Sequence, residues 1–255
     1  MRLAVEKYEF PPVDEEKTGM TQECWATNDE VRLHYLDNGG SQGIPVVLIP
    51  GLHGCAEDFE TILEAMLPRR AIAVSLRGRG KSDVPPVGYR FENHVADIAA
   101  VIDSLGSQPV CLVGHSVGAT YAIGYALEQP KFVAALVVGG YPARYPDLSA
   151  DWGLRTMMRY PEAMSMIAVL GLQHDSAAIS LWESLAELTC PLLVLRGGKA
   201  SSRLPLEMVD EYHRWAPEAQ IVTFADSGHR LWVPDMQRFV QTINEFIRAQ
   251  NQVEG

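Results

Sequence analysis

A serine between two glycines is the feature of this sequence with the clearest chemical potential. In Gly114-His115-Ser116-Val117-Gly118 it follows an apolar run typical of a buried strand, and a helical pattern of small residues continues to about Glu128. On such a strand, turn and helix, a serine hydroxyl is held above the sheet edge, where it can attack a carbonyl carbon. The flanking glycines let the strand and the helix approach each other closely. The spacing therefore predicts a nucleophile at Ser116.

Other chemistries fit the sequence less well. Gly80-Lys81-Ser82 follows a predicted strand and ends like a phosphate-binding loop, but that loop needs a glycine where Ser75 stands. Metal-dependent hydrolysis is not indicated, because the sequence has no cluster of the His-x-x-Glu-His type. We therefore expect neither a metal nor another cofactor.

Apolar runs that alternate with helical patterns supply the elements that position Ser116. The runs at 22–27 and 31–37 predict an antiparallel pair, and the later continuous runs predict strands buried on both faces. The continuous runs are 45–49, 71–76, 110–113, 133–138, 192–195 and 220–224, and the helical patterns are 58–66, 93–105, 117–128 and 235–249. Strands separated by helices predict an α/β fold with a mostly parallel eight-stranded sheet and helices on both faces.

The segment 139–188 interrupts this alternation, because no strand is predicted in it. Its Pro-rich turns and helical patterns carry the large side chains Trp152, Met157, Met158, Met164, Met166 and Trp182. We interpret the segment as a small helical lid at the C-terminal edge of the sheet, with an ordinary helical layer of the core as the alternative. The predicted organisation is an N-terminal extension at 1–21, a core of 22–138 and 189–250, and the lid at 139–188.

The composition limits the partners that we expect. A formal net charge of −11 argues against nucleic acid or an anionic membrane surface as a partner. Residues 1–20 lack an apolar run, so we expect no signal peptide, and no segment has the roughly 18 apolar residues of a membrane span. The four cysteines lie far apart, which favours free thiols and a cytoplasmic protein. We expect a small-molecule substrate and a monomer or homodimer.

Four motifs in a fixed order make the chain similar to the α/β-hydrolase superfamily over about residues 22–249. Besides the serine motif, Pro50-Gly51-Leu52-His53-Gly54 resembles the oxyanion loop of that family. The segment 75–82, Ser-Leu-Arg-Gly-Arg-Gly-Lys-Ser, resembles its Arg-Gly-x-Gly-x-Ser motif. Asp226-Ser227-Gly228-His229 resembles its catalytic-histidine loop. The resemblance implies the α/β-hydrolase fold.

The resemblance also implies roles for individual residues. Ser116 would be the nucleophile, and His229 would take its proton and return it to the leaving alcohol. The backbone N–H groups of Leu52 and Val117 would stabilise the oxyanion. These roles imply a cofactor-independent serine hydrolase of small or medium carboxylic esters. Lactonase, thioesterase, amidase, C–C hydrolase and haloperoxidase activities share the same motif, whereas relatives that open epoxides use aspartate in place of Ser116.

The acid of the catalytic triad is where the sequence departs from the family. The loop 196–203, where the acid usually lies, contains no carboxylate, and Ser201 stands at the aligned position. The alternative place, Val-Gly-Gly-Tyr-Pro at 138–142, has none either. Three interpretations stay open: an acid from an unusual place, with Asp147 first, a Ser–His dyad of reduced activity, or a variant that has lost the acid. A ligand-binding protein on a hydrolase scaffold is the rival function.

Overall fold

The structure is a computed structural model that describes residues 21–251. The extension predicted at 1–21 lies outside the described residues except for Thr21, and the expectation about a signal peptide lies wholly outside them.

Residues 21–251 form ten strands and seven α-helices, numbered in chain order. The strands are β1 (Gln22–Asn28), β2 (Val31–Asp37), β3 (Gln42–Ile49), β4 (Arg69–Val74), β5 (Val110–His115), β6 (Val133–Gly139), β7 (Arg144–Tyr145), β8 (Ile179–Ser180), β9 (Leu192–Gly197) and β10 (Gln220–Phe224). The helices are α1 (Glu60–Met66), α2 (Phe91–Ser104), α3 (Gly118–Glu128), α4 (Ala150–Arg159), α5 (Met166–Asp175), α6 (Leu206–Trp215) and α7 (Met236–Asn251). Short 3₁₀ helices occupy Ala56–Phe59, Pro130–Phe132 and Glu183–Glu187.

Eight strands form one sheet in the order β1-β2-β4-β3-β5-β6-β9-β10. Strand β2 pairs antiparallel with both of its neighbours, whereas the pairs from β4 to β10 are all parallel. The predicted fold, a mostly parallel eight-stranded sheet, is therefore confirmed. The ends of some elements differ from the predicted ones, as at β4, because an apolar run need not stop where backbone pairing stops.

Both faces of the sheet are covered, as the continuous apolar strands predicted. Along β5, Val110 and Leu112 pack into one core cluster, whereas Cys111 and Val113 pack into the other. This alternation follows from the two-residue period of a strand. Helices α2 and α3 contribute side chains to the first cluster, and α1 and α7 contribute to the second.

The carboxyl ends of the parallel strands lie at one edge of this sheet, which is where ligands bind in open α/β folds. The loops after β3, β5, β6, β9 and β10 meet at that edge. They carry the oxyanion-loop motif, Ser116, the 138–142 segment, the 196–203 segment and His229. The fold thus brings together residues that are far apart in the sequence.

The segment between β6 and β9 contains α4 and α5 together with β7 and β8. These two strands pair antiparallel, Arg144 with Ser180 and Tyr145 with Ile179, so the prediction that the segment has no strand is wrong. A pair of two-residue strands is too short to produce a recognisable period. The buried side chains of the segment that join the core are Ala143, Tyr145, Leu148, Met164, Ala168, Val169, Leu172, Leu181 and Leu185. Its large exposed apolar side chains are Leu154, Met158, Met166, Ile167 and Leu170.

None of the helices within residues 21–251 combines enough length and apolar character to cross a bilayer. The same part of the chain contains no group of three or more His, Cys, Asp or Glu side chains arranged to hold a metal ion. All four cysteines are free thiols, as their spacing suggested.

Candidate active site

The serine motif forms a tight turn between β5 and α3. Ser116 has a φ of 55°, in the left-handed region that residues other than glycine rarely adopt. The flanking glycines are required sterically. A Cβ atom on Gly114 would lie 2.5 Å from Cα of Ala119, and one on Gly118 would overlap the carbonyl oxygen of Pro50. The Ser116 N–H donates to the Gly139 carbonyl at 2.9 Å, which fixes the strained turn against β6.

His229 reaches the serine from the loop after β10. Its Nε2 lies 3.1 Å from Oγ of Ser116, a hydrogen-bonding distance suited to proton transfer. The loop is fixed by the buried Ser227, whose hydroxyl donates to the Leu231 carbonyl at 3.2 Å. Arg238 of α7 forms an ion pair with Asp226 of the same loop. The structure therefore brings together the two side chains that the sequence placed 113 residues apart.

A second imidazole, that of His115, supports the first. Its Nε2–H donates to the carbonyl oxygen of His229 at 2.9 Å, and the two rings pack with centroids 4.8 Å apart. The rings of Trp232 and His115 pack edge to face with a centroid distance of 4.7 Å. Burial lowers the pKa of His115 to about 4, so this ring is neutral at neutral pH. His115 thus acts on the backbone that carries His229.

The second ring nitrogen of His229, Nδ1, differs from the first in having no partner in the described part of the chain. Its Nδ1 is buried and makes no hydrogen bond within residues 21–251. Asp147, the first candidate for the acid, has an exposed side chain and is not bonded to His229, so the structure does not support that assignment. The physical reason is the chain path: Asp147 lies in the segment 139–188, after the short strand β7 and before Ser149, the N-cap of α4.

The two positions where the family places its acid do lie beside His229, but neither carries a carboxylate. A Cβ atom on Gly140 would be 3.8 Å from Nδ1 of His229, in ordinary van der Waals contact. Ser201 packs its hydroxyl against Gly228, the residue before His229. The arrangement within the described chain is therefore a serine–histidine pair without an orienting acid.

The oxyanion loop packs directly on the turn that holds Ser116. A Cβ atom on Gly51 would lie 2.9 Å from Cβ of Ser116, so only glycine permits this approach. No acceptor among residues 21–251 receives a hydrogen bond from the backbone N–H of Leu52 or of Val117. Val117 lies at the N-terminus of α3, where the helix dipole adds positive potential. Both N–H groups are therefore available to a developing oxyanion.

Helix α4 contacts the oxyanion loop through His53, an arrangement that the sequence spacing did not indicate. The Nε2 of His53 lies 3.0 Å from Oγ1 of the buried Thr156. The His53 ring also packs against Trp152 at 5.8 Å and Tyr160 at 5.0 Å, measured between centroids. Burial lowers the pKa of His53 to about 4, which keeps the ring neutral and compatible with these apolar contacts. No sequence motif marks Thr156, because its partner lies in another segment of the chain.

Burial, with smaller contributions from the neighbouring His115 and Arg203, lowers the pKa of His229 to about 3. A general base must be neutral to accept a proton. We therefore expect kcat/KM for ester hydrolysis to stay level as the pH falls through 6.5, and to decline only as it approaches about 3. A pH–rate profile checks this, and a decline with a midpoint between about pH 6 and 7 would contradict it.

Circular dichroism must accompany that profile, because the same buried histidines link stability to pH. A histidine whose folded pKa is depressed contributes stability above its unfolded pKa of about 6.5. That stability is lost progressively as the pH falls toward the folded pKa values, about 4 for His53 and His115 and about 3 for His229. Rates should therefore be compared only where the spectrum is native.

Comparison with known proteins identifies the family of the chain. A family model described as alpha/beta hydrolase fold matches residues 44–177, more than half of the chain. The protein therefore belongs to the α/β-hydrolase family, and the resemblance seen in the sequence is confirmed.

Individual relatives cover nearly the whole chain. An AB hydrolase superfamily protein of Bacillus subtilis, YisY, is 27% identical over 262 residues, which cover 86% of this chain and 97% of that protein. The 2-hydroxymuconate semialdehyde hydrolase of Pseudomonas putida is 25% identical over 270 residues, covering 89% and 93%. The solved structure of an esterase from Exiguobacterium antarcticum superposes with a TM-score of 0.74 at 21% identity, covering 89% of this chain and all of that one. The structural similarity shows the fold alone, and the family with its relatives supports a hydrolase.

Proposed function

We propose that the protein is a serine hydrolase that cleaves carboxylic esters of small or medium size through an acyl-enzyme on Ser116. The observation that carries the proposal is the 3.1 Å separation of His229 Nε2 from the hydroxyl of a strained serine. Strain of this kind is retained in proteins mainly where function requires it. The backbone N–H groups of Leu52 and Val117, which make no hydrogen bond within residues 21–251, complete the set of groups that acyl transfer needs.

The chemistry follows from the contacts. The Ser116 hydroxyl attacks the ester carbonyl as Nε2 of His229 takes its proton, and the N–H groups of Leu52 and Val117 stabilise the resulting oxyanion. Collapse of this intermediate breaks the ester C–O bond, and the protonated His229 gives its proton to the leaving alcohol. Water then attacks the acyl-serine with His229 again as base, which releases the acid and restores the serine.

The missing acid sets the expected rate. A carboxylate on Nδ1 holds the histidine as the tautomer whose Nε2 lone pair faces the serine, and it stabilises the imidazolium. Here Nδ1 has no such partner in the described chain, so both tautomers are available and the positive charge lacks a nearby anion. We therefore propose a dyad enzyme with slow turnover relative to a complete triad.

A panel of acyl compounds tests the proposed reaction. A chain-length series of p-nitrophenyl esters measured beside lactones, thioesters and a C–C hydrolase substrate separates activities that share this motif. We expect the highest kcat/KM on short or medium esters. Turnover confined to lactones, thioesters or carbon–carbon bonds would refute the ester assignment and leave the nucleophile in place.

A second candidate is a ligand-binding protein on the hydrolase scaffold, which the unpartnered Nδ1 of His229 favours. A fluorophosphonate probe discriminates the two, because covalent labelling needs both a nucleophile and an oxyanion hole. We expect rapid labelling of Ser116. Tight binding of small acyl compounds without any labelling would support the binding protein.

Residues 139–188 are proposed to cover the substrate. Variants at two tryptophans of this segment distinguish that role from packing in the core. Trp152 of α4 stacks on His53 beside the oxyanion loop, whereas Trp182 packs against Tyr212 of α6 with centroids 4.9 Å apart. We expect Trp152→Ala to shift the preferred acyl chain length with little change in Tm. Trp182→Ala, the matched control, should lower Tm and leave the preference unchanged. An unchanged preference in both variants, with large losses of Tm, would make the segment an ordinary layer of the core.

A further inference from the structure

Arg79 is a buried cation with no counter-ion among residues 21–251. Only 1% of its surface is exposed, and it forms no ion pair with any carboxylate of residues 21–251. Its Nη2 is buried and has no hydrogen-bond partner of good geometry there, although the neutral phenol of Tyr121 interacts with the guanidinium. Arg77, two residues earlier, shows the ordinary solution: its guanidinium forms two hydrogen bonds, of 2.8 and 2.6 Å, with the carboxylate of Asp97. Buried charges are normally paired in this way, so the unpaired Arg79 requires an explanation.

One hydrogen-bond donor of Arg79 contacts the oxyanion loop, and the others contact neighbouring segments. Its Nε–H donates to the carbonyl oxygen of Leu52 at 3.1 Å. Its Nη1 donates to the Arg77 carbonyl at 2.7 Å and to Nε2 of His94 at 2.8 Å. His94 can accept this bond because its own Nδ1–H donates to the carbonyl of Arg90, which leaves Nε2 unprotonated. Burial holds the pKa of His94 well below its usual value, so this partner is neutral and leaves the charge of Arg79 uncompensated.

We propose that Arg79 is a positioning residue of the oxyanion hole: its guanidinium holds Leu52 through the carbonyl and leaves an unpaired positive charge beside that residue. The inference rests on the proposed ester hydrolysis. The hydrogen bond to the Leu52 carbonyl fixes the orientation of that residue and hence of its N–H donor. In a buried environment an unpaired charge interacts more strongly than it would in water. Arg79 also lowers the pKa of His53, so its charge acts on the same loop.

The test compares two variants. Arg79→Met removes both the hydrogen bond to Leu52 and the positive charge, whereas Arg79→Lys retains the charge but lacks the planar guanidinium and its several N–H donors. The measurements are kcat and KM for a p-nitrophenyl ester, the inhibition constant of a trifluoromethyl ketone that forms an oxyanion on Ser116, and Tm. Losing one oxyanion donor lowers the rate by about 10²–10³. In the Arg79 variants the Leu52 N–H is displaced rather than lost, so we expect kcat to fall by about 10–100-fold. For Arg79→Met that loss should fall on kcat and on ketone affinity, with KM nearly constant. Arg79→Lys should recover part of it.

The control is His94→Phe, which removes a partner of Nη1 and leaves the bond to Leu52. We expect it to lower Tm and to keep kcat within a few-fold of the native protein. Equal kcat losses in His94→Phe and the Arg79 variants would overturn the proposal, as would native kcat and ketone affinity in Arg79→Met. If Arg79→Met does not fold, Arg79→Lys decides: native kcat and ketone affinity there would overturn the proposal. Loss of turnover in Ser116→Ala, measured in parallel, shows separately whether the proposed function holds.

Discussion

Replacing Ser116 with alanine is expected to abolish ester turnover and leave the fold intact. The hydroxyl is the group that forms the acyl-enzyme, and its removal costs on the order of 10⁶ in kcat in a complete serine triad. The loss here should be smaller, at least about 10³, because a dyad starts from a lower rate. Alanine has nearly the same volume as serine and meets the same backbone strain at φ 55°. Steady-state kinetics with p-nitrophenyl esters and thermal unfolding measure both effects.

Ser180→Ala is the matched control for that variant. Ser180 is exposed on β8 and lies far in the sequence from the turn that holds Ser116. Its replacement by alanine also removes a serine hydroxyl. Its kinetics should equal those of the native protein. If Ser116→Ala kept most of its activity, or lost it only together with its folded structure, Ser116 would not be the nucleophile.

Adding the missing acid should raise the rate by a large factor. A Cβ atom on Gly140 would lie 3.8 Å from Nδ1 of His229, so the carboxylate of Gly140→Asp can reach that nitrogen. Gly140 has a φ of 64°, a conformation that aspartate adopts more readily than most residues. The orienting acid is worth about 10⁴ in a complete triad, and we expect a gain in kcat of about 10–10³. The carboxylate should also raise the pKa of His229, so the acid limb of the pH–rate profile should move up from about pH 3.

Three further variants identify the cause of any gain. Gly140→Ala carries the same backbone strain without an acceptor and should give no increase. Ser201→Asp should increase the rate less than Gly140→Asp, because Ser201 already packs tightly against Gly228. Asp147→Asn should leave the rate unchanged, since Asp147 is not bonded to His229. A large loss of rate in Asp147→Asn, with no gain in rate from either added aspartate, would show that the acid comes from the segment 139–188 and would refute the dyad.

Much of the fold was predictable because the sheet is buried on both faces. Continuous apolar runs such as that of β5 predict strands that are buried on both faces, and turn residues indicate where each strand ends. Because ligands bind at the carboxyl ends of the strands in such sheets, Ser116 and His229 are expected at the same edge. The missing acid was also visible, because the absence of a carboxylate in two short loops is a property of the sequence alone.

The remaining features depend on contacts between distant segments, which no periodicity encodes. The strands β7 and β8 are too short to alternate, and the contact of Thr156 with His53 joins residues 103 positions apart. No sequence pattern shows that Arg79 is buried or that it donates a hydrogen bond to the Leu52 carbonyl. The sequence leaves the acid open, and the structure adds that Nδ1 of His229 has no hydrogen-bond partner among residues 21–251, which favours the proposed dyad.

The most direct test of the account is to locate the covalent adduct that a fluorophosphonate forms with the protein. Peptide mapping by mass spectrometry after brief labelling at neutral pH should find the phosphonyl group on Ser116 alone. His229→Ala should slow this labelling strongly, because the base is 3.1 Å from the hydroxyl in the native protein. Labelling at another residue, labelling at the native rate in His229→Ala, or no labelling of the native protein would contradict the assignment of Ser116 and His229.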